Sequence, residues 1–153
     1  MKHSFLMILA FMSMFISSAS SCDKNDDNKP NNNNTMANGK IKIKVNSQTF
    51  TATLWDNNSA KAFKEMLPLT INMIEMNGNE KYYDLPNSLP ANSSNAGMIK
   101  NGDLMLYGSK TFVLFYKTFS TSYSYTKLGS VDDVAGLATA LGSGNITVTF
   151  ELE

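Results

Sequence analysis

Residues 111–129 read TFVLFYKTFSTSYSYTKLG, and how far this run remains one strand decides the fold. Between Phe112 and Tyr116 apolar side chains fall on both parities, which predicts a strand from Thr111 to Phe119 buried on both faces. From Phe119 to Lys127 the odd positions are Phe, Thr, Tyr, Tyr and Lys, while the even positions from Thr118 to Thr126 are all Ser or Thr. That is period two, the signature of a strand with an aromatic face and a hydroxyl face. One strand from Thr111 through Leu128 would be about three times the usual length. The expectation is a break between Ser120 and Ser124, with Tyr123 on a connection at a barrel rim and Phe119 and Tyr125 beside it at strand ends.

Working toward the N-terminus, Asp103–Tyr107 predicts a partner strand joined through a Gly108-Ser109 turn. Pro86 to Gly97, PNSLPANSSNAG, has no period and reads as a polar loop. Leu69, Ile71 and Met73 alternate, and Asn77-Gly78 signals a hairpin into Tyr82-Tyr83. Ala60, Phe63, Met66 and Leu67 form a helical stripe, capped by the residues around Asn57 and ended by Pro68. Ile41, Ile43 and Val45, then Phe50, Ala52 and Leu54, predict an opening hairpin around Asn46-Ser47-Gln48.

Toward the C-terminus, Asp132-Asp133 is expected to open a helix, complementing its dipole, with Val134, Leu137, Ala138 and Leu141 as its stripe and Gly142 as its stop. Ile146, Val148, Phe150 and Leu152 make the last strand. The result is an all-β fold: a closed or partly closed β-barrel of about eight mainly antiparallel strands with two short α-helices, rather than a parallel α/β sheet.

The N-terminal residues address the chain rather than fold it. Lys2 precedes an apolar run from Phe5 to Ile16, then small residues, then Cys22, the only cysteine. An apolar core of about a dozen residues is too short to span a bilayer. The small residues before Cys22 resemble a loose lipobox, so residues 1–21 read as a lipoprotein signal peptide and Cys22 as the lipidated residue. Ordinary secretion with Cys22 left as a free thiol and a retained N-terminal anchor are the alternatives. Residues 22–38, rich in Asn and Asp, form a disordered linker, and 39–153 form the folded domain. Asp23, Asn25 and Asp27 have the spacing that opens a calcium loop, but Asn28 and Asn34 stand where its glycine and final acid belong. The acidic run after Cys22 resembles the surface-export signal of one group of bacterial lipoproteins. The expected place is the cell envelope, lipid-anchored at the outer membrane or cell surface, with the bilayer as partner through acylated Cys22.

Charge and residue inventory narrow the chemistry. Net charge is zero, which gives no field for nucleic acid. His3 is the only histidine and no residue is arginine. Beyond the signal peptide this leaves no Ser-His or Cys-His nucleophile pair, no metal site and no cofactor motif. Ser109-Lys110, Gly142-Ser143-Gly144, Glu80 and Asp84 read as turn and hairpin polarity. Seven aromatics lie between Tyr107 and Tyr125. They either fill the barrel or, at Tyr107, Phe115, Phe119, Tyr123 and Tyr125, line an open groove for a ligand.

The order strand, strand, helix, run of strands, helix, strand resembles the cyclophilin-like fold. More narrowly, the stretch from NGDLMLYGSK through YTKLGSV to NITVTF, with DLPNSLP and AKAFKEMLPLT, is similar to the bacterial cyclophilin-like lipoprotein family. Active cyclophilins lower a barrier of ~18–20 kcal/mol with an arginine that hydrogen-bonds the substrate. Here no arginine stands anywhere, and lysine lacks the planar fork of donors. The resemblance therefore implies a binding module for a small ligand, peptide or partner protein, leaning away from an enzyme. A degenerate prolyl isomerase acting on exported proteins is the alternative.

Overall fold

A computed structural model of the chain describes residues 39–153. The expected signal peptide of residues 1–21, the expected lipidated residue Cys22 and the expected linker of residues 22–38 lie outside the described residues.

Alternation builds the first wall. In β1 (Lys40–Val45), Ile41, Ile43 and Val45 are fully buried, while the lysines between them face outward. Asn46 accepts a positive φ of 53° and turns the chain into β2 (Gln48–Leu54), as the asparagine-led turn predicts. Helix α1 (Asn58–Glu65) comes next, its first turn held by Asn57, whose side-chain carbonyl accepts from the Ala60 N–H at 2.8 Å. The Asn57 amide also donates to the Lys127 carbonyl at 2.9 Å, tying the helix start to a distant strand.

The remaining elements are β3 (Leu69–Met76), β4 (Glu80–Asp84), β5 (Ser94–Ile99), β6 (Asp103–Tyr107), β7 (Thr111–Phe115), β8 (Phe119–Val131), α2 (Leu137–Leu141) and β9 (Ile146–Leu152). Eight strands close into a ring in the order β2-β1-β9-β3-β4-β7-β6-β8, with β8 returning to β2 through three residue pairs, Ala52–Val131, Thr53–Ser130 and Leu54–Gly129. Every pairing is antiparallel. The ninth strand, β5, stands outside the ring and pairs only with β8.

Three sequence expectations need correction. Ser94–Ile99 is a strand rather than the end of a loop, recruited by the free edge of β8 despite its polar, glycine-containing sequence. The long run breaks at 116–118, not at Ser120–Ser124; from Phe119 onward β8 continues for 13 residues, with Tyr123 inside it. Helix α2 begins only at Leu137, so Asp132 and Asp133 do not complement its dipole. Asp132 instead pairs with Lys40 at 2.6 Å and accepts from Thr53, and Asp133 accepts from the Ala135 N–H in a local turn.

Inside the ring, Phe63 of α1 stacks on Phe112 at 4.6 Å, and Phe150 meets Phe112 edge-on at 5.2 Å. Leu137 and Leu141 of α2 join this core. One end of the ring holds a buried cation. Lys81 has no exposed surface, and its ammonium donates to Glu75 Oε2 at 2.5 Å and to the carbonyls of Gly142 and Gly144 at 2.8 and 2.6 Å. Its three donors are thereby used, which is what a buried ammonium requires. The Tyr116 hydroxyl donates to both oxygens of Glu75 at 2.8 and 2.9 Å.

β7 is buried on both faces, as its double parity predicts. Phe112 and Leu114 enter the ring core, whereas Val113 and Phe115 belong to a second cluster with Ile99, Met105 and Tyr125. By strand alternation that second cluster lies on the outer surface of the wall. The first half of β8, paired with β5, leaves the ring and covers that outer face as a two-stranded ribbon. Fully burying a side chain such as Ile99 or Phe115 contributes roughly 1.5–3 kcal/mol, enough to hold the ribbon down.

Candidate functional site

The ribbon does not cover the outer face completely. Between it and the wall runs a groove of about 560 Å³, and period two explains which residues face it. β4 presents Glu80, Tyr82 and Asp84, β7 presents Thr111 and Val113, and β6 ends in Tyr107. The odd positions of β8, Phe119, Thr121, Tyr123 and Tyr125, face them from the ribbon. Of the hydroxyl face expected from the sequence, Ser120 also borders the groove, Ser122 and Ser124 are exposed, and Thr126 is buried.

All five aromatics singled out from the sequence are linked by ring contacts. Tyr123 meets Tyr107 edge-on at 6.2 Å, Tyr107 meets Tyr125 at 5.6 Å, and Tyr125 and Phe119 both contact Phe115, at 5.5 and 5.7 Å. Four of them line the groove. Phe115 does not: it is fully buried beneath the lining and fixes the rings above it. Tyr107 and Tyr123 are 48% and 62% exposed, a large apolar area for water to cover in a protein that buries its other tyrosines more deeply.

The groove runs along the outside of the barrel wall, across β4, β7 and β6, and reaches the β3–β4 turn at Asn77 and Asn79. A double-parity strand shows that something covers its second face without showing what, and β5 has no pattern that names it as the cover.

Its electrostatics are one-sided. Glu80 is half-buried rather than a solvated hairpin charge, and burial, then the nearby Glu75 charge, push its carboxyl above the usual range. Burial, then Glu80 and the neighbouring tyrosines, push the Tyr125 hydroxyl up to about 12, so it stays protonated as a donor. Asp84 accepts from the Thr111 hydroxyl at 2.6 Å. Among the described residues neither Glu80 nor Asp84 belongs to an ion pair, and no lysine lines the groove. No group of three metal-ligating side chains occurs among them. Nor is any of their helices long and apolar enough to cross a membrane.

Comparison with known proteins concerns this same domain. A family model described as the cyclophilin-like family matches residues 43–151. The fold is similar to the solution structure of the hypothetical protein AF2241 from Archaeoglobus fulgidus, with a TM-score of 0.51 and 15% sequence identity over 76% of this chain and 96% of that one. No curated protein matches the chain.

Proposed function

This chain belongs to the cyclophilin-like family, and from that premise we propose that it is a non-catalytic binding domain tethered to the cell envelope, with the outer groove as its ligand site. The observation that carries the reading is the convergence of Tyr107, Tyr123 and Tyr125 on a groove of about 560 Å³, within the range of small-molecule sites. Tyrosine supplies an apolar body with a polar tip, and ring-to-ring contacts limit the rotamer freedom lost on binding. Lipidation of Cys22 would place the domain at the membrane surface, with residues 22–38 as its tether, and two or more acyl chains make such anchoring durable.

A fragment screen by protein-observed NMR tests the site. Hits are expected to shift the amides of β8 and β6 around Tyr123 and Tyr107, and Tyr123→Ala should abolish them while leaving the rest of the spectrum intact. Hits that map consistently elsewhere defeat the assignment. The isomerase alternative is tested separately by a protease-coupled assay on an X-Pro peptide, where the uncatalysed rate is expected. Acceleration that vanishes in Tyr125→Ala would replace the binding reading with catalysis. For the anchor, Cys22→Ala should move the protein from the membrane to the soluble fraction; full retention removes the lipoprotein claim.

A further inference from the structure

We infer that the groove binds a small organic ammonium cation, held against the exposed rings of Tyr107 and Tyr123 and by the carboxylates of Glu80 and Asp84. This rests on the groove being a ligand site and names the ligand's chemical class. The rings do not stack flat against one another. Tyr107 packs at 89° to Tyr123 and 54° to Tyr125, and this edge-to-face contact still leaves Tyr107 and Tyr123 exposed. A cation over tyrosine faces is attracted by the ring quadrupole, and the attraction strengthens as water is excluded.

Charge complementarity selects the sign. The groove holds two carboxylates and no lysine, although the chain has 13 lysines and no net charge. Among the described residues Asp56, Glu75, Asp132 and Glu151 each pair with a lysine; Glu80 and Asp84 are among the acids that do not, and of those they are the two that share the groove. Glu80 is held half-buried with no positive partner, a cost that a bound cation would offset. An anionic ligand would meet both carboxylates and the π faces. Size favours a small molecule over a protein surface, since the space is bounded by the ribbon on one side and the wall on the other.

The test compares choline with 3,3-dimethylbutan-1-ol, its neutral isostere, by NMR titration of the full-length protein. Choline is expected to shift the Tyr107, Tyr123 and Tyr125 resonances, and the isostere to bind at least tenfold more weakly. Glu80→Gln should weaken choline about tenfold while leaving the isostere unchanged, and Tyr123→Ala should weaken both. Equal binding of the two probes overturns the cation inference and leaves the groove a ligand site. Binding only of a lysine-containing peptide, with choline silent, also overturns it in favour of a peptide occupant. If neither probe nor peptide shifts the groove tyrosines while the fragment screen finds hits there, the cation inference alone is lost; if that screen is empty too, the site falls with it.

Discussion

Glu75 and Glu80 stand on the two strands of one hairpin and are pushed in opposite directions. Burial works against the Glu75 carboxylate, but the Lys81 ammonium, the Tyr116 hydroxyl and the Gly78 N–H outweigh it and hold its pKa below the usual range. Such a depressed carboxylate contributes stability above its unfolded pKa, about 4.3 for glutamate, and loses it as pH falls through the lower folded value. Lys81→Met should therefore cost about 3–5 kcal/mol in urea denaturation at pH 7, because Glu75 and two carbonyls lose their partner. The variant should also lose less stability than the parent on acidification, and parallel pH curves would contradict the pairing. Glu80 is raised, so its sign is reversed: its ionisation costs stability above the folded pKa, and the cost disappears below the unfolded one. Glu80→Gln should stabilise the protein at neutral pH and be neutral near pH 3. Destabilisation at pH 7 would reveal a native partner for Glu80. Tyr123, being 62% exposed, should tolerate alanine within about 0.5 kcal/mol, which separates binding loss from unfolding.

Among the elements, β8 is the one on which both ring and groove depend. Between Leu104 and Met105 of β6 its register shifts, setting Leu128 as an extra residue and reversing the side-chain parity on either side of it. Leu128 and Val131 consequently both reach the ring core despite their odd spacing. Where β8 closes on β2, Gly129 leaves no room for a side chain: a Cβ would lie 2.4 Å from the Thr53 carbonyl oxygen. Gly129→Ala should thus destabilise by more than about 2 kcal/mol in thermal or urea unfolding, since backbone rather than a side chain must yield. A neutral result would mean that the closure is not tight. Element by element, legibility tracked the strength of the pattern. β1, β2, β3, β7 and β9 carry clean alternation or a continuous apolar run, and the Asn57 cap and the Asn77-Gly78 turn mark α1 and the β3–β4 hairpin. SNAGMI has neither, because β5 packs only Ala96 and Ile99 inward and owes its form to the edge it joins. Asp132-Asp133 mimics a helix start because turns and caps use the same short acidic side chains. For the site, tyrosines on one parity of β8 were visible in sequence. Glu80 as their neighbour was not, since strand pairing through β7 and β6 brings it there.

At the scale of the whole molecule, a ring without free edges carries a two-stranded ribbon fastened to it by one continuous strand and one small apolar cluster. Ile99→Ala should cost about 2–5 kcal/mol, the range for emptying a buried aliphatic site. Its effect on near-UV circular dichroism from the tyrosine cluster should appear at lower denaturant than the loss of far-UV signal; coincident transitions would show ribbon and ring unfolding as one. The groove therefore has walls of unequal permanence. Amides of β5 lack a partner beyond β8 and should exchange with solvent deuterium through local opening, while those of β1, β9 and β3 wait for global unfolding. An occupant bridging Tyr107 on the wall and Tyr123 on the ribbon would slow the first class of amides far more than the second. The protein would then register its ligand as a selective loss of opening, with the barrel itself unchanged.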